Sequence, residues 1–192
     1  MTTWVCFLRG VNLGKQRKLP MAALRDSLTA AGLTGVRTYL QSGNILLQSP
    51  LRTHAKVSRL VRALIAADFS LDVPVIARQP AEIDRVITEN PFAAHVAQRP
   101  HLIRVIFLET VPSKERIGRL AEVEAVRDTC QLIGNHVYID YVRGYHTTHR
   151  TAPYFTGLLG IEGTERNMRT VLALADLLDS THSAPATNRS HR

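Results

Sequence analysis

The chain has few of the residues that mark several protein classes. Its two cysteines, Cys6 and Cys130, lack CxxC spacing, which argues against a disulfide scaffold or a CxxC zinc or redox motif. No uninterrupted apolar run exceeds about five residues, far short of a membrane span. The N-terminus has no basic start followed by an apolar stretch, so we expect no signal peptide. We predict a cytoplasmic protein without a membrane partner, with both thiols reduced and buried.

Acidic residues are nearly absent from the first third of the chain. Residues 1–67 hold ten Lys or Arg and a single acid, Asp26, whereas the remainder holds 14 basic and 15 acidic residues. The net charge of +8 at pH 7 therefore comes entirely from the first segment. Such a block attracts phosphate-rich or acidic partners, although a solvated basic face without a specific ligand is somewhat commoner.

Two stretches of the chain show the same order of predicted elements. The first is read as strand, helix, strand, strand, helix and strand over residues 3–9, 21–32, 36–42, 44–49, 53–67 and 72–79. A short helix at 80–90 follows, and then strand, helix, strand and strand recur over 101–109, 113–123, 127–133 and 136–142. Gly43 and Gly134 each precede asparagine in the hairpins, where glycine supplies positive φ. Pro20 suits the first helical position. The helix after it is predicted to bury Met21, Leu24 and Leu28, and the helix at 53–67 is predicted to bury Val57, Leu60 and Leu64.

The second stretch is predicted to continue into helices. One covers 152–160, and Thr164 is predicted to cap another, with Met168, Val171, Leu172 and Ala175 packed inward. We therefore predict an α+β fold of two ferredoxin-like (βαββ-containing) subdomains, formed by structural duplication, with C-terminal helices. The subdomains are predicted at 1–79 and 80–180. Residues 181–192 have no sizeable apolar side chain and are predicted to form a flexible tail.

The stretch 7–21, FLRGVNLGKQRKLPM, resembles a phosphate-binding loop in outline only. Three residues separate Gly10 from Gly14, where a P-loop has four, and Lys15 is followed by Gln16 in place of Ser or Thr. The stretch is therefore not a P-loop. Its glycines, its basic residues and the start of a helix still favour an anion site.

This loop is expected to lie beside the first hairpin turn, because the first two strands of a ferredoxin-like sheet run parallel and end at the same edge. The ligand-binding candidates at that edge are Arg9, Gly10, Asn12, Gly14, Lys15, Lys18, Ser42, Gly43 and Asn44. The alternative is that the glycines and Asn44 serve turn geometry and the basic side chains face solvent.

Three further groups are candidates. Arg166 and Asn167 are predicted in the first turn of a helix, where they would grip an anion or, more often, brace a neighbouring loop. His146 and His149 have a spacing that suits metal ligands, but no third ligand follows, so we predict a polar loop and no metal. Asp140 and Tyr141 could act as base and acid, without a partner evident from spacing.

RNA-recognition modules share the βαββαβ order but stack bases on aromatic side chains of the third strand. That strand here, NILLQS at 44–49, has no aromatic residue. We therefore do not expect specific nucleic-acid binding, while non-specific phosphate contact stays open.

Four stretches together resemble a bacterial family catalogued as domain of unknown function 1697. They are FLRGVNLGKQRKLPMAAL, VRTYLQSGNILL, NPF and GTERNMRTVLALADLL. The resemblance implies an α+β fold of ferredoxin-like subdomains and no established activity. The family usually has a second glycine where this chain has Lys15, and often a Ser/Thr-Lys pair where this chain has Thr148-His149. Histidine there would make anion binding weaker or dependent on pH.

Three function classes follow. The leading hypothesis is a protein that binds a phosphate-bearing small molecule at the basic edge, with Thr148, His149, Arg166 and Asn167 as secondary ligands and no cofactor. The second is an enzyme acting on a small anionic substrate, in which Asp140, Tyr141 or His149 transfers protons. The third is an interaction module or homodimer.

Overall fold

A computed structural model describes residues 1–14, 18–123, 129–142, 144–145 and 151–182. Within these residues the chain forms eight strands: β1 (Thr2–Leu8), β2 (Thr34–Tyr39), β3 (Asn44–Ser49), β4 (Val75–Arg78), β5 (Ile103–Leu108), β6 (Thr129–Ile133), β7 (His136–Asp140) and β8 (Gly163–Asn167). Seven helices are described: α1 (Met21–Ala30), α2 (His54–Phe69), α3 (Pro80–Thr88), α4 (Ala93–Val96), α5 (Lys114–Val123), α6 (Ala152–Leu159) and α7 (Met168–His182). None of the described helices is long and apolar enough to cross a bilayer.

The strands form two four-stranded antiparallel sheets with the same topology. The first sheet has the order β2-β3-β1-β4 and the second has the order β6-β7-β5-β8. Each half therefore follows the βαββαβ ferredoxin-like order, and the fold is α+β with two ferredoxin-like subdomains. Because β1 and β2 both pair antiparallel with β3, they run parallel to each other and end at the same edge.

The prediction that the second half continues only into helices was wrong. Residues 163–167 form β8, which pairs with β5, and the last helix begins at Met168. Thr164 therefore lies in a strand and caps no helix. Instead, Asn167 Oδ1 accepts hydrogen bonds from the backbone N–H and the hydroxyl of Thr170, both at 2.9 Å, and so caps α7. The sequence GTERN has a weak strand composition, and its pairing with β5 decides its conformation.

Three buried clusters hold the layers together. The strict alternation of β1 sends Trp4, Cys6 and Leu8 toward α1 and α2, and sends Val5 and Phe7 toward the second sheet. Stacked rings of Phe7 and Phe107, with centroids 4.3 Å apart, join the two sheets. Helices α3 and α7 complete this central layer, and α5 and α6 cover the far side of the second sheet.

The helices around the first sheet match the apolar pattern with two differences. Helix α1 buries Met21, Leu24 and Leu28 as predicted, but it begins one residue after Pro20, which occupies the N-cap position. Helix α2 buries Val57, Val61 and Ile65, while Leu60 and Leu64, which were predicted to face inward, are only partly buried. Because Leu60 precedes Val61 and Leu64 precedes Ile65, the apolar pattern leaves the rotation of α2 ambiguous by about one residue.

Candidate functional site

The loop after β1 is fastened to the first hairpin by one asparagine. Asn12 Nδ2 donates to the carbonyl of Gln41 at 2.8 Å and to that of Leu19 at 3.0 Å, and its Oδ1 accepts from Leu19 N at 2.8 Å. Asn12 has a φ of +55°, a region that asparagine tolerates better than most residues. The two loops that the sequence expected to meet therefore do meet, and Asn12 is the contact between them.

The hairpin turn itself depends on glycine. Gly43 has a φ of +77°, and a Cβ added there would lie 2.6 Å from Leu8 Cβ and 2.8 Å from Val11 Cγ2. The connection between Tyr39 and Asn44 spans four residues, 40–43. Asn44 is fully buried and donates to Tyr39 O at 2.8 Å and to Ser42 Oγ at 3.1 Å.

Arg166 reaches from the second subdomain into this turn. It is a buried cation whose hydrogen-bond acceptors are all neutral. The acceptors are Asn44 Oδ1, Thr164 Oγ1 (2.9 Å) and the carbonyls of Glu165 (2.7 Å), Leu8 (2.8 Å), Ser42 (3.1 Å) and Gly43 (3.1 Å). Burial lowers the pKa of Arg166 to about 10, so it stays charged at neutral pH. Arg166 thus braces the SGN turn, which is one of the two roles that the sequence allowed for it.

A second arginine makes the reciprocal contact. Arg78 lies opposite Val5 in the first sheet as Arg166 lies opposite Val105 in the second. Its Nε donates to His136 Nε2 at 3.2 Å and its Nη2 donates to the carbonyl of Leu108. The two subdomains therefore exchange arginines across a pseudo-two-fold axis at the stacked phenylalanine rings.

The matching acceptors are also equivalent by register. Asn44 pairs with Phe7, and His136 pairs with Phe107. Burial and the charges of Arg78 and Arg85 lower the pKa of His136 to about 3. His136 is therefore neutral at pH 7, and its unprotonated Nε2 can accept a hydrogen bond from Arg78. Sequence reasoning missed the roles of Arg78 and His136. The only signal was an arginine near the end of each edge strand, Arg78 as the last residue of β4 and Arg166 as the last but one of β8.

A second part of the same edge keeps its polar groups toward solvent. We call it the α1 edge, formed by residues 9–14, 18–19 and the first turn of α1 at 21–23. Helix α1 has no side-chain cap and no acid in its first turn. Its first hydrogen bond runs from Leu24 N to Pro20 O, so the amides of residues 21–23 find no acceptor among the described residues. Lys18 is exposed nearby, and Gly14, with a φ of +62°, has open space around it.

Arg9 stands at the border between the α1 edge and the second subdomain. It forms an ion pair with Glu162, and the two side chains are 31% and 49% exposed. An ion pair this exposed contributes little to stability. Gly10, with a φ of +68°, turns the chain away from β1 directly after Arg9. The predicted ligands Lys15, Thr148 and His149, and also His146, lie outside the described residues.

Asp140 and Tyr141, the predicted proton-transfer pair, contact different residues. Asp140 is buried, and its Oδ2 lies 2.7 Å from both His95 Nδ1 and Arg99 Nη2. These are the partners that spacing did not reveal, because they lie 45 and 41 positions away. The backbone N–H of Tyr141 donates to Leu102 O, and its ring packs edge-on against Tyr145. Among the described residues, no three His, Cys, Asp or Glu side chains cluster as metal ligands would.

Comparisons with known proteins agree with this fold. A solved structure of the conserved bacterial protein SP0830 from Streptococcus pneumoniae is similar, with a TM-score of 0.65 and 21% identity, over 92% of this chain and 98% of that chain. No curated protein matches the chain. The model of the family described as protein of unknown function (DUF1697) matches residues 1–138, which contain the RGVN, KLPM, SGN and NPF motifs. The chain therefore belongs to the DUF1697 family.

Proposed function

We propose that this is a cytoplasmic protein that binds a phosphate-bearing or other anionic small ligand at the α1 edge. The observation that carries the proposal is the open N-terminal end of α1, beside exposed Lys18 and without an acid in its first turn. The free amides and the helix dipole both favour negative charge at this position.

Helices α3 and α6 differ from α1 at this end, whereas α2 resembles α1 in having no side-chain cap and no acid in its first turn. At α6, the N–H of Ala152 donates to the Glu165 carboxylate at 3.2 Å, so a carboxylate of the protein already occupies that end. At α3, Glu82 accepts from Gln79 N at 2.7 Å in a capping box. At both helices a carboxylate of the protein already accepts a hydrogen bond at the N-terminal end, whereas α1 has no such internal partner among the described residues.

The remaining candidate residues act as the scaffold in this proposal. Asn12, Asn44 and Arg166 use their polar atoms in hydrogen bonds to the loop and the hairpin turn. These bonds fix the backbone beside the α1 N-terminus. A preformed loop lowers the entropic cost of binding. Arg9 adds a cation that can leave the exposed Glu162 for a ligand, because their ion pair is weak.

A thermal-shift panel of inorganic phosphate, nucleotides and sugar phosphates tests the proposal. A ligand at 100 times its Kd should stabilise the protein by about 2.7 kcal/mol. The four lysines of the chain provide a matched pair of variants. We expect Lys15→Glu/Lys18→Glu to abolish the shift and Lys56→Glu/Lys114→Glu, with the same charge change, to keep it. Equal loss in both variants, or a flat panel, would reject the α1 edge.

The His95–Asp140 pair favours an enzyme of small anionic substrates as the second candidate. Asp140 fixes Nδ1 of His95, whose side chain is 48% exposed, and Arg99 places a cation beside it. Such a histidine can exchange protons with a substrate through Nε2. In an activity screen with phosphate esters and carboxylic acids, His95→Gln should abolish any turnover without changing the phosphate-induced thermal shift. Turnover that survives His95→Gln would exclude this role.

A further inference from the structure

A groove follows the free edge of β4, at the seam between the two subdomains. Two adjoining cavities of about 160 and 150 Å³ form it. They share the wall residues Ala55, Ser58, Ile76 and Glu109. We call this feature the β4 groove. Clefts that bind drug-sized ligands enclose roughly 300–1,000 Å³. The β4 groove therefore suits a ligand of one or two amino-acid residues in size.

The floor of the β4 groove carries an unpaired piece of sheet edge. Arg9 N donates to Pro74 O, so antiparallel alternation turns the backbone groups of Val75 and Ala77 away from β1. Ala77 is already satisfied, because its N–H donates to Ser58 Oγ at 3.1 Å and its carbonyl accepts from Arg78 at 2.8 Å. No described residue bonds to the outward N–H and C=O of Val75, which line the groove. One donor and one acceptor remain, which match one residue of an extended peptide.

The walls carry charges of both signs. Arg59 on α2 and Glu109 after β5 are exposed, and within the described part of the chain neither side chain forms a hydrogen bond or an ion pair. Arg62 lies beside Arg59, and Glu162 lies beside Glu109. A hydrogen bond to Asp72 is the main cause of the raised pKa of Arg62, and the charges of Glu162 and Glu109 add to it across the seam. The two walls are thus close enough to act on one ligand.

We propose that the β4 groove binds a zwitterionic dipeptide in extended form. Its amide pairs with the backbone of Val75, its carboxylate meets Arg59, and its ammonium group meets Glu109. Both termini must be free, because each wall carries one unsatisfied charge. The β4 groove adjoins the α1 edge through the Arg9–Glu162 ion pair, but its proposed ligand does not depend on phosphate binding there.

Titration calorimetry of the full chain with Ala-Ala tests the proposal. Acetylating the N-terminus or amidating the C-terminus should each weaken binding roughly tenfold, the usual effect of losing one charge-assisted hydrogen bond. Ala-sarcosine, which lacks the amide N–H, should also bind more weakly. Absence of heat with Ala-Ala at millimolar concentration, or equal affinity for the blocked peptides, would overturn the proposal.

Variants of the protein test whether the dipeptide binds in the β4 groove. Arg59→Glu and Glu109→Lys should each abolish Ala-Ala binding, and both positions are exposed, so folding should be unaffected. Lys56→Glu is the matched control, because Lys56 is an exposed cation on the same helix that does not line the β4 groove. Unchanged affinity in Arg59→Glu, or equal loss in Lys56→Glu, would reject the assignment.

Discussion

Arg166 brings a positive charge into the molecule, and among the described residues no carboxylate accepts a hydrogen bond from it. Neutral acceptors stabilise this buried guanidinium. Four of them belong to the first subdomain: Leu8 O, Ser42 O, Gly43 O and Asn44 Oδ1. If the guanidinium is removed, these acceptors stay buried and lose their donor. That loss is costly even though burying the charge is itself unfavourable.

We expect Arg166→Met to lower the free energy of unfolding by about 3 kcal/mol or more, since several buried acceptors become unsatisfied. The free energy of unfolding of Arg166→Lys should lie between those of the wild type and Arg166→Met, because one ammonium group cannot reproduce the planar fork of the guanidinium. Urea denaturation measures both. Arg169→Met, at an exposed position three residues on, is the control and should change stability by less than about 0.5 kcal/mol. A loss below 1 kcal/mol in Arg166→Met would contradict the bracing role.

The equivalent contact, between Arg78 and His136, makes the stability of the protein depend on pH. The pKa of His136 is about 3 in the folded protein and about 6.5 in the unfolded chain. Below pH 6.5 the unfolded chain therefore binds more protons, and stability falls as the pH is lowered toward 3. Between pH 6.5 and pH 5, His136 lowers the free energy of unfolding by about 2 kcal/mol.

His136→Asn should remove this contribution and keep the arginine contact, because asparagine occupies the equivalent position at Asn44. We expect the unfolding free energy of His136→Asn to change less between pH 7 and pH 5 than that of the wild type. Chemical denaturation at both pH values measures the difference. His101→Asn, at an exposed histidine, serves as the control and should keep the wild-type slope. Equal slopes in all three proteins would refute the assignment.

At the scale of elements, the junction of β8 and α7 has one residue serving both. Asn167 is the last residue of β8, where it lies opposite Arg104, and its side chain caps α7. The strand thus ends where the helix begins, with no loop between them. This continuity explains why a helical pattern seemed to start at Thr164.

We expect Asn167→Ala to destabilise the protein by about 1 kcal/mol, the usual cost of losing an N-cap. Asn167→Asp should retain stability, since a carboxylate also accepts from the first turn and favours the helix dipole. Thermal and urea unfolding of the two variants give the comparison. If Asn167→Ala and Asn167→Asp unfold alike, the capping bond contributes nothing measurable.

At the scale of the whole molecule, the two subdomains form an internal pseudo-dimer. Each contributes one sheet, one phenylalanine and one arginine to the central layer, and each accepts the arginine of the other. Because the acceptors Leu8 and Asn44 stand where Leu108 and His136 stand in the other half, a second copy of the first half offers Arg78 similar partners.

We therefore expect the fragment 1–89 to self-associate as a dimer. The isolated half would otherwise expose the central-layer face of its sheet, including Val5, Phe7 and Ile76. Size-exclusion chromatography with light scattering measures its mass. Arg78→Met in the fragment should weaken the dimer, whereas Lys56→Met, at an exposed site on α2, should not. A folded, monomeric fragment would contradict the pseudo-dimer interpretation.

The sequence predicted the elements that local patterns specify. Short apolar runs of strand composition predicted β1 and β3, the spacing of Met21, Leu24 and Leu28 predicted the buried face of α1, and Gly43 marked the first turn. These features depend on side-chain period and on backbone sterics, which act within a few residues. The family resemblance rested on the same short motifs.

Only the tertiary structure decided what the polar residues of those motifs contact. Residues 163–167 became a strand because β5 offered an unpaired edge, and Arg166 found four of its acceptors some 120 to 160 positions earlier in the chain. The partners of Asp140 and the open edge at Val75 likewise depend on which elements pack together. Sequence by itself determined which residues prefer helix, strand or turn, because those preferences are local. Contacts between distant residues followed from packing of the two halves, which no local pattern encodes.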